Sequence, residues 1–422
     1  MLKQNSALAL LAALTFCSAQ SSNSYVDVDV VDGKRVCTVT SIGNNQSDVG
    51  NILYAFCKCR SGSTIIFPED QNYWIGERLH AEVHDVNIEW KGQWTLSDDL
   101  DYWRNNSYPI AFQNHHAGFI LSGDGLNING YGTGGINGNG EAWYDDEAGT
   151  TLPGRPMSFV LWNVSDVQVS SFFLKQSPLW GFNIMNGTNL KFTNLYAHNV
   201  APNAPSGANW VQNTDGFDTM DVNNVTLDGL DYTGGDDCIA IKPRSYNMTI
   251  NNVTCHGGNG IAIGSLGQYE EDSSVENVIL TNIAVPGTRY GTYIKTWIGY
   301  LVPQASYESA GQPRGGGWGT VRNLTFENVD VTGAASAISI TQDNGNNGSY
   351  SGTSKMLIDD INFINFTGTL TGSSTINVSC SEMEPCYDIC FEDLTYTGTT
   401  GANPTGSCNY TASGGIHGLT GC

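Results

Sequence analysis

Three aspartates in the middle of the chain have the types and spacing for acid–base chemistry: Asp215 in NTDGFD, and Asp236 and Asp237 in GGDDC. Asp215 and Asp237 are 22 residues apart, and Asn259, inside the glycine-rich CHGGNGIAIGS, follows Asp237 by another 22. In a chain that coils with about that period, Asp215, Asp237 and Asn259 stack as a ladder on adjacent strands, about 4.8 Å apart. Carboxylates held so close raise one another's pKa, so one keeps its proton as an acid while another stays ionised as a base. Neighbours on a regular strand face opposite ways, so Asp236 and Asp237 share a site only where the chain bends, and Gly234 and Gly235 permit that bend. The competing readings are turn-capping aspartates at solenoid corners and a site for a hard cation such as calcium.

Such a ladder needs elements that repeat at its spacing. A seven-residue pattern (Asp or Asn, apolar, any, apolar, any, small polar, apolar) recurs as DVQVSSF from Asp166, NLKFTNL from Asn189, NVTLDGL from Asn224 and NMTINNV from Asn247. It continues as NVILTNI from Asn277, NLTFENV from Asn323, DINFINF from Asp360 and DICFEDL from Asp388. Successive starts are separated by 23, 35, 23, 30, 46, 37 and 28 residues, so the shortest spacing is the coil and the longer ones carry inserts. Alternating apolar residues mark strands with one buried face, and the Asn and Gly residues mark corners. A period near 23 without helix-forming stretches predicts an all-β fold, a single-stranded right-handed parallel β-helix, in preference to a β-sandwich. DVNIEW from Asp85 and LNINGY from Leu126 are read as early coils, and residues 20–160 as the N-terminal end and cap. The division is residues 1–19 as a leader and residues 20–422 as one catalytic solenoid.

The leader, MLKQNSALALLAALTFCSA, has Lys3, an apolar run from Ala7 to Phe16 and small residues at Ser18 and Ala19, the pattern of a cleaved secretory signal. Its apolar run is too short to span a bilayer. Removing Cys17 with it leaves ten of 11 cysteines, an even number that reads as disulfides in an exported protein. No CxxC pair meets a matching His or Cys pair, so no zinc site and no cofactor is predicted. About a dozen N-glycosylation sequons, Asn163-Val-Ser and Asn377-Val-Ser among them, suit an extracellular glycoprotein. A formal charge of −23 repels nucleic acid and anionic membranes and argues against both as partners. An anionic substrate must then be held by the few local cations, with Lys242, Arg244, Arg289 and Lys295 the candidates.

NTD at 213–215, GDDC at 235–238, GGNGIAIGS at 257–265 and YIK at 293–295 resemble, in order and spacing, the four signatures of the polygalacturonase family of glycoside hydrolases, family 28. The resemblance implies a right-handed β-helix with a cleft on one of its sheets and metal-independent hydrolysis of α-linked galacturonic acid in pectin with inversion; the protein is expected to act as a monomer. It assigns Asp236 as the general acid, Asp215 and Asp237 as the water-activating pair, and Cys238–Cys255 as a disulfide bracing the site. Inversion calls for room between acid and base for a water. Asn213, Asn259, Tyr293, Lys295 and Lys242 are the expected substrate-binding residues. The family usually has histidine where Asn259 stands and arginine where Tyr293 stands, while Lys295 is retained. The lost positive charge predicts a neutral leaving sugar, and hence rhamnogalacturonan as substrate. His256 is read as a surface or turn histidine.

The inserts before Asn224 and Asn323 predict a groove closed at one end and exo action, and the phrase IGSLGQY at 263–269 resembles the exo-acting branch of the family. Trp297, Tyr300 and Trp318 are candidate sugar platforms. The expected function is thus a secreted exo-acting galacturonidase on rhamnogalacturonan, with an exopolygalacturonase on homogalacturonan as the alternative. A calcium-dependent lyase and a non-catalytic carbohydrate-binding β-helix are the more distant readings.

Overall fold

The computed structural model describes residues 24–304, 313–346 and 348–422; the expected leader and residues 305–312 of the last long insert lie outside the described residues. Twenty-four strands join in one hydrogen-bonded sheet wound as a right-handed parallel β-helix. The seven-residue repeats lie on adjacent coils in strict register. The second residue of each pairs with that of the next, Val167 with Leu190, Leu190 with Val225, Val225 with Met248, Met248 with Val278, and on through Leu324, Ile361 and Ile389. The early coils obey the same rule, with Val86 opposite Leu126.

The corners explain the repeat's polar positions. Its first residue, from Asp166 to Asp388, lies at φ between 54° and 60° in all eight copies, and its sixth is Ser171, Asn194, Gly229, Asn252, Asn282, Asn328, Asn365 or Asp393, again at positive φ. Asn, Asp and Gly enter this left-handed region at least cost. Their amides also tie the coils together: Asn224 Nδ2 donates to Asn189 Oδ1 (2.9 Å), Asn277 to Asn247 (3.0 Å) and Asn323 to Asn277 (2.8 Å). Between the corners, alternate residues point inward and stack on their own counterparts, as Phe326, Phe363 and Phe391 do at 5.1 and 5.2 Å.

Helix Val49–Lys58 covers the first coil with Ile52, Ala55 and Phe56, above a packed group of Phe67, Trp90 and Trp94. Disulfides Cys37–Cys59 near this end and Cys380–Cys386 and Cys408–Cys422 at the other are local, and Cys390 is a free thiol. The expected Cys238–Cys255 bridge is present and joins the coils beside the aspartates. No helix among the described residues is long and apolar enough to cross a membrane.

Candidate active site

One row of outward-facing side chains runs along the sheet through Ile120, Val160, Asn183, Asp218, Ala240, Ala262, Tyr293, Ser339 and Asn377. The aspartates gather where this row changes from apolar to polar. Gly216 N–H donates to the Asp237 carbonyl (2.9 Å), which sets Asp215 beside Asp237 as the spacing predicts. The GGDD turn is tight: a Cβ on Gly234 would lie 2.2 Å from the Tyr232 hydroxyl, and one on Gly235 2.2 Å from Asn209 Oδ1. Asn209, from the insert before Asn224, donates to the Gly235 carbonyl (2.7 Å) and holds that turn.

Asn259 lies beside Asp236 rather than Asp237. Its backbone N–H donates to the Asp236 carbonyl (2.8 Å) and its side-chain amide to Asp236 Oδ1 (2.9 Å). A register shift between Asp237 and Ile239 absorbs one residue, so equal counts from Asp215 to Asp237 and from Asp237 to Asn259 do not give equal positions. The ladder at this step is Asn213, Asp236 and Asn259, with Asn213 N–H donating to Asp236 Oδ2 (2.8 Å). Tyr293 donates its hydroxyl to Asp237 Oδ1, and Lys295 Nζ reaches both Asp237 Oδ2 (2.8 Å) and the Tyr293 hydroxyl (2.7 Å). The two departures from the family pattern therefore hold the carboxylates of Asp236 and Asp237, and the argument from them to a neutral leaving sugar loses its basis.

Lys242, expected to bind a substrate carboxylate, is buried and already engaged: its Nζ lies 3.0 Å from Asp218 Oδ1 and 3.6 Å from Asp215 Oδ2, over the Trp180 ring at 4.0 Å. Asp218 and Trp180 were not singled out by sequence. Asp218 stands in NTDGFD three residues after Asp215, and the alternation of that strand was the signal for its outward face. Oxygens of Asp215, Asp236 and Asp237 lie within 4.8 Å of one another, closer than the ~6.5–9.5 Å typical between inverting carboxylates. Burial, reinforced by the Asp237 charge, pushes the Asp236 carboxyl up to about 6, against the pull of Lys295 and its hydrogen bonds. Burial lifts Asp218 to about 6 although Lys242 opposes it. Burial, then Asp218 and Asp236, hold Asp215 well above the usual carboxylate range. Asp215 Oδ1 accepts no hydrogen bond from the described residues.

On the N-terminal side of this cluster the outer face of the sheet is covered. Ile120, Val160, Met185 and Met220 are buried under Ile110, Phe112, Met157 and Trp180. The cover is a small sheet of Tyr108–Ile110, His115–Ala117 and Pro156–Met157. It reaches across to the IGSLGQY stretch, where the side-chain amides of Gln113 and Gln268 meet at 2.8 Å, Gln113 N–H donates to the Tyr269 hydroxyl (3.0 Å), and Phe112 packs on Tyr269 (5.6 Å). Sequence reasoning looked for the wall in the later inserts and missed residues 108–117, which lie in the weakly repeating part of the chain. His115 is buried edge-on against Trp180 (4.4 Å), and burial, helped by Lys242 and Arg314, keeps its pKa well below the usual value. Of the expected platforms, Trp297 is buried, Tyr300 packs on Tyr350 (5.2 Å) and Trp318 is exposed. His256 is at the surface, 3.9 Å from Asp231.

A parallel β-helix whose outer face carries four aspartates and two lysines beside a covered end has the form of a carboxylate-based polysaccharide hydrolase. The chain belongs to the glycosyl hydrolases family 28, whose model matches residues 113–416, and it is a glycoside hydrolase. It is 60% identical over 404 residues to "Putative galacturan 1,4-alpha-galacturonidase C" of Aspergillus niger, covering 93% of this chain and 95% of that protein. It is 33% identical over 378 residues to "Exopolygalacturonase" of Cochliobolus carbonum, covering 87% and 82%. Among solved structures, the endo-xylogalacturonan hydrolase of Aspergillus tubingensis superposes with a TM-score of 0.75 at 25% identity, covering 92% of this chain and all of that one.

Proposed function

We propose that the protein is an extracellular exo-acting galacturonidase that removes single galacturonic acid units from the non-reducing end of homogalacturonan. The observation that carries this reading is the cover over Ile120, Val160, Met185 and Met220, which ends the groove directly beside Asp215 and Lys242. A site next to a wall receives a chain end and excludes a chain interior. The names of the two fungal relatives support the same activity. Rhamnogalacturonan, the first expectation from sequence, is the weaker reading, because Asn259 and Tyr293 bind Asp236 and Asp237.

In this reading Asp236 donates its proton to the glycosidic oxygen, and its raised pKa keeps that proton available in a mildly acidic medium. Asp215 and Asp237 activate the water, and Asp237, ion-paired with Lys295 Nζ (2.8 Å), is the member that accepts its proton. Lys242 and Lys295 offset part of the clustered negative charge, and Asn213, Asn259 and Tyr293 position the carboxylates. Inversion is the course that the family resemblance implies.

The test is digestion of the two polymers side by side. Galacturonic acid as the sole early product of homogalacturonan, with little loss of viscosity, is expected. Oligogalacturonides from the start would overturn exo action; release from rhamnogalacturonan alone would restore the first expectation; an unsaturated, ultraviolet-absorbing product would make the enzyme a lyase. Proton NMR reads the stereochemistry, and first release of the α-anomer would overturn inversion.

A further inference from the structure

The free thiol of Cys390 sits in a second cluster, far along the chain from the aspartates. Cys390 is two residues after Asp388 on strand Tyr387–Leu394, so the two share a face. On the next coil the two-residue strand Ile416–His417 pairs in parallel, with His417 directly opposite Cys390. Asp388 Oδ1 lies 3.7 Å from His417 Nε2 and 3.9 Å from Cys390 Sγ, and one donor atom from each of the three falls within 4.8 Å of the others. No metal was expected from the sequence, because that expectation rested on short-spaced pairs; here 27 residues separate Cys390 from His417 and only the coil brings them together.

We propose that Asp388, Cys390 and His417 form a surface site for a zinc-like divalent metal, which staples the last short strand to the coil before it. Ligands at ~2.0–2.3 Å around tetrahedral zinc lie ~3.3–3.8 Å from one another, so the two distances above are within a few tenths of an ångström of that geometry. A thiolate and an imidazole select zinc, cobalt or copper over calcium and magnesium, which take oxygen. Asp388 and His417 are exposed and Cys390 half-buried, so the metal has an entry path and solvent at its fourth position. Binding releases the thiol proton to solvent, with no change of oxidation state. Strand Ile416–His417 has only two residues of pairing, so a metal bridge adds a cross-link where the ladder is shortest.

The experiment uses the folded full chain with its disulfides intact and Co²⁺ as the probe. One equivalent is expected to give the near-ultraviolet thiolate-to-cobalt charge-transfer band, which Zn²⁺ then displaces. The band should vanish in Cys390→Ser, and His417→Ala should bind at least tenfold more weakly. Cys390→Ser should keep its galacturonide hydrolysis and circular dichroism, which controls for folding. No band in the unmodified protein, or a band that survives in Cys390→Ser, overturns the site. Zn²⁺ should raise the Tm of the unmodified protein but not of Cys390→Ser, and equal Tm with and without Zn²⁺ overturns the staple.

Discussion

Asp236 meets two opposing influences: Lys295 and donors from Asn213, Asp237 and Asn259 that favour its charge, and burial beside Asp237 that disfavours it, with a net pKa of about 6. Asp236→Asn is expected to lower kcat by roughly 10²–10⁴-fold with KM nearly unchanged; steady-state kinetics check it, and a large KM change with kcat kept would reject Asp236 as the acid. Tyr293→Phe removes the hydroxyl that Asp237 accepts from, and kcat should fall about tenfold at constant substrate preference. A switch in preference between the two polymers would return Tyr293 to sugar selection. Asp218 and Asp236 also link stability to pH. Their folded pKa values, about 6, exceed the ordinary 3.8, so the folded state binds protons more tightly than the unfolded one. That contribution is full below 3.8 and is lost as pH rises through about 6. Thermal melts should show a higher Tm at pH 4 than at pH 7, and Asp218→Asn should flatten the difference.

The corner ladders are where the repeat becomes stability. Asn277 adopts φ 59°, donates to Asn247 and accepts from Asn323. Asn277→Ala should cost about 2–3 kcal/mol, from ~1–2 kcal/mol of left-handed backbone and the lost amide bonds. Asn277→Gly should recover the backbone part, and denaturant unfolding of the two variants separates the contributions. Cys238 and Cys255 close a loop of separation 17 beside the catalytic turn. Replacing both by serine should lower stability by about 3 kcal/mol, and intact activity at low temperature would show that the bridge braces the coils without shaping the site.

At the scale of the whole molecule, a chain of charge −23 meets the polyanionic substrate of the proposed reading with only Lys242 and Lys295 of its 18 Lys and Arg residues paired to the clustered aspartates. Repulsion acts over tens of ångströms at low salt and within about 10 Å at 0.1 M. kcat/KM on homogalacturonan should therefore rise between about 0.01 and 0.1 M salt, and a fall over that range would show that attraction by the site's lysines dominates encounter.

The sequence by itself determined the coil, because left-handed corners admit few residue types and a buried strand face demands alternation; Asp166 to Asp388 display both. The clustering of Asp215, Asp236 and Asp237 was legible in motifs one coil apart, and the family resemblance carried the Cys238–Cys255 bridge that the structure contains. Tertiary structure alone decided three matters. A one-residue register shift placed Asn259 on Asp236, since counting residues cannot detect a bulge. Packing of Trp180 and Asp218 around Lys242 turned an expected sugar ligand into a buried counter-ion. Residues 108–117 became the cover of the sheet's outer face through partners, Gln268 and Tyr269, more than 150 residues away. Contacts that distant leave no periodic trace in the chain, and they are what hold the cover on the outer face of the sheet.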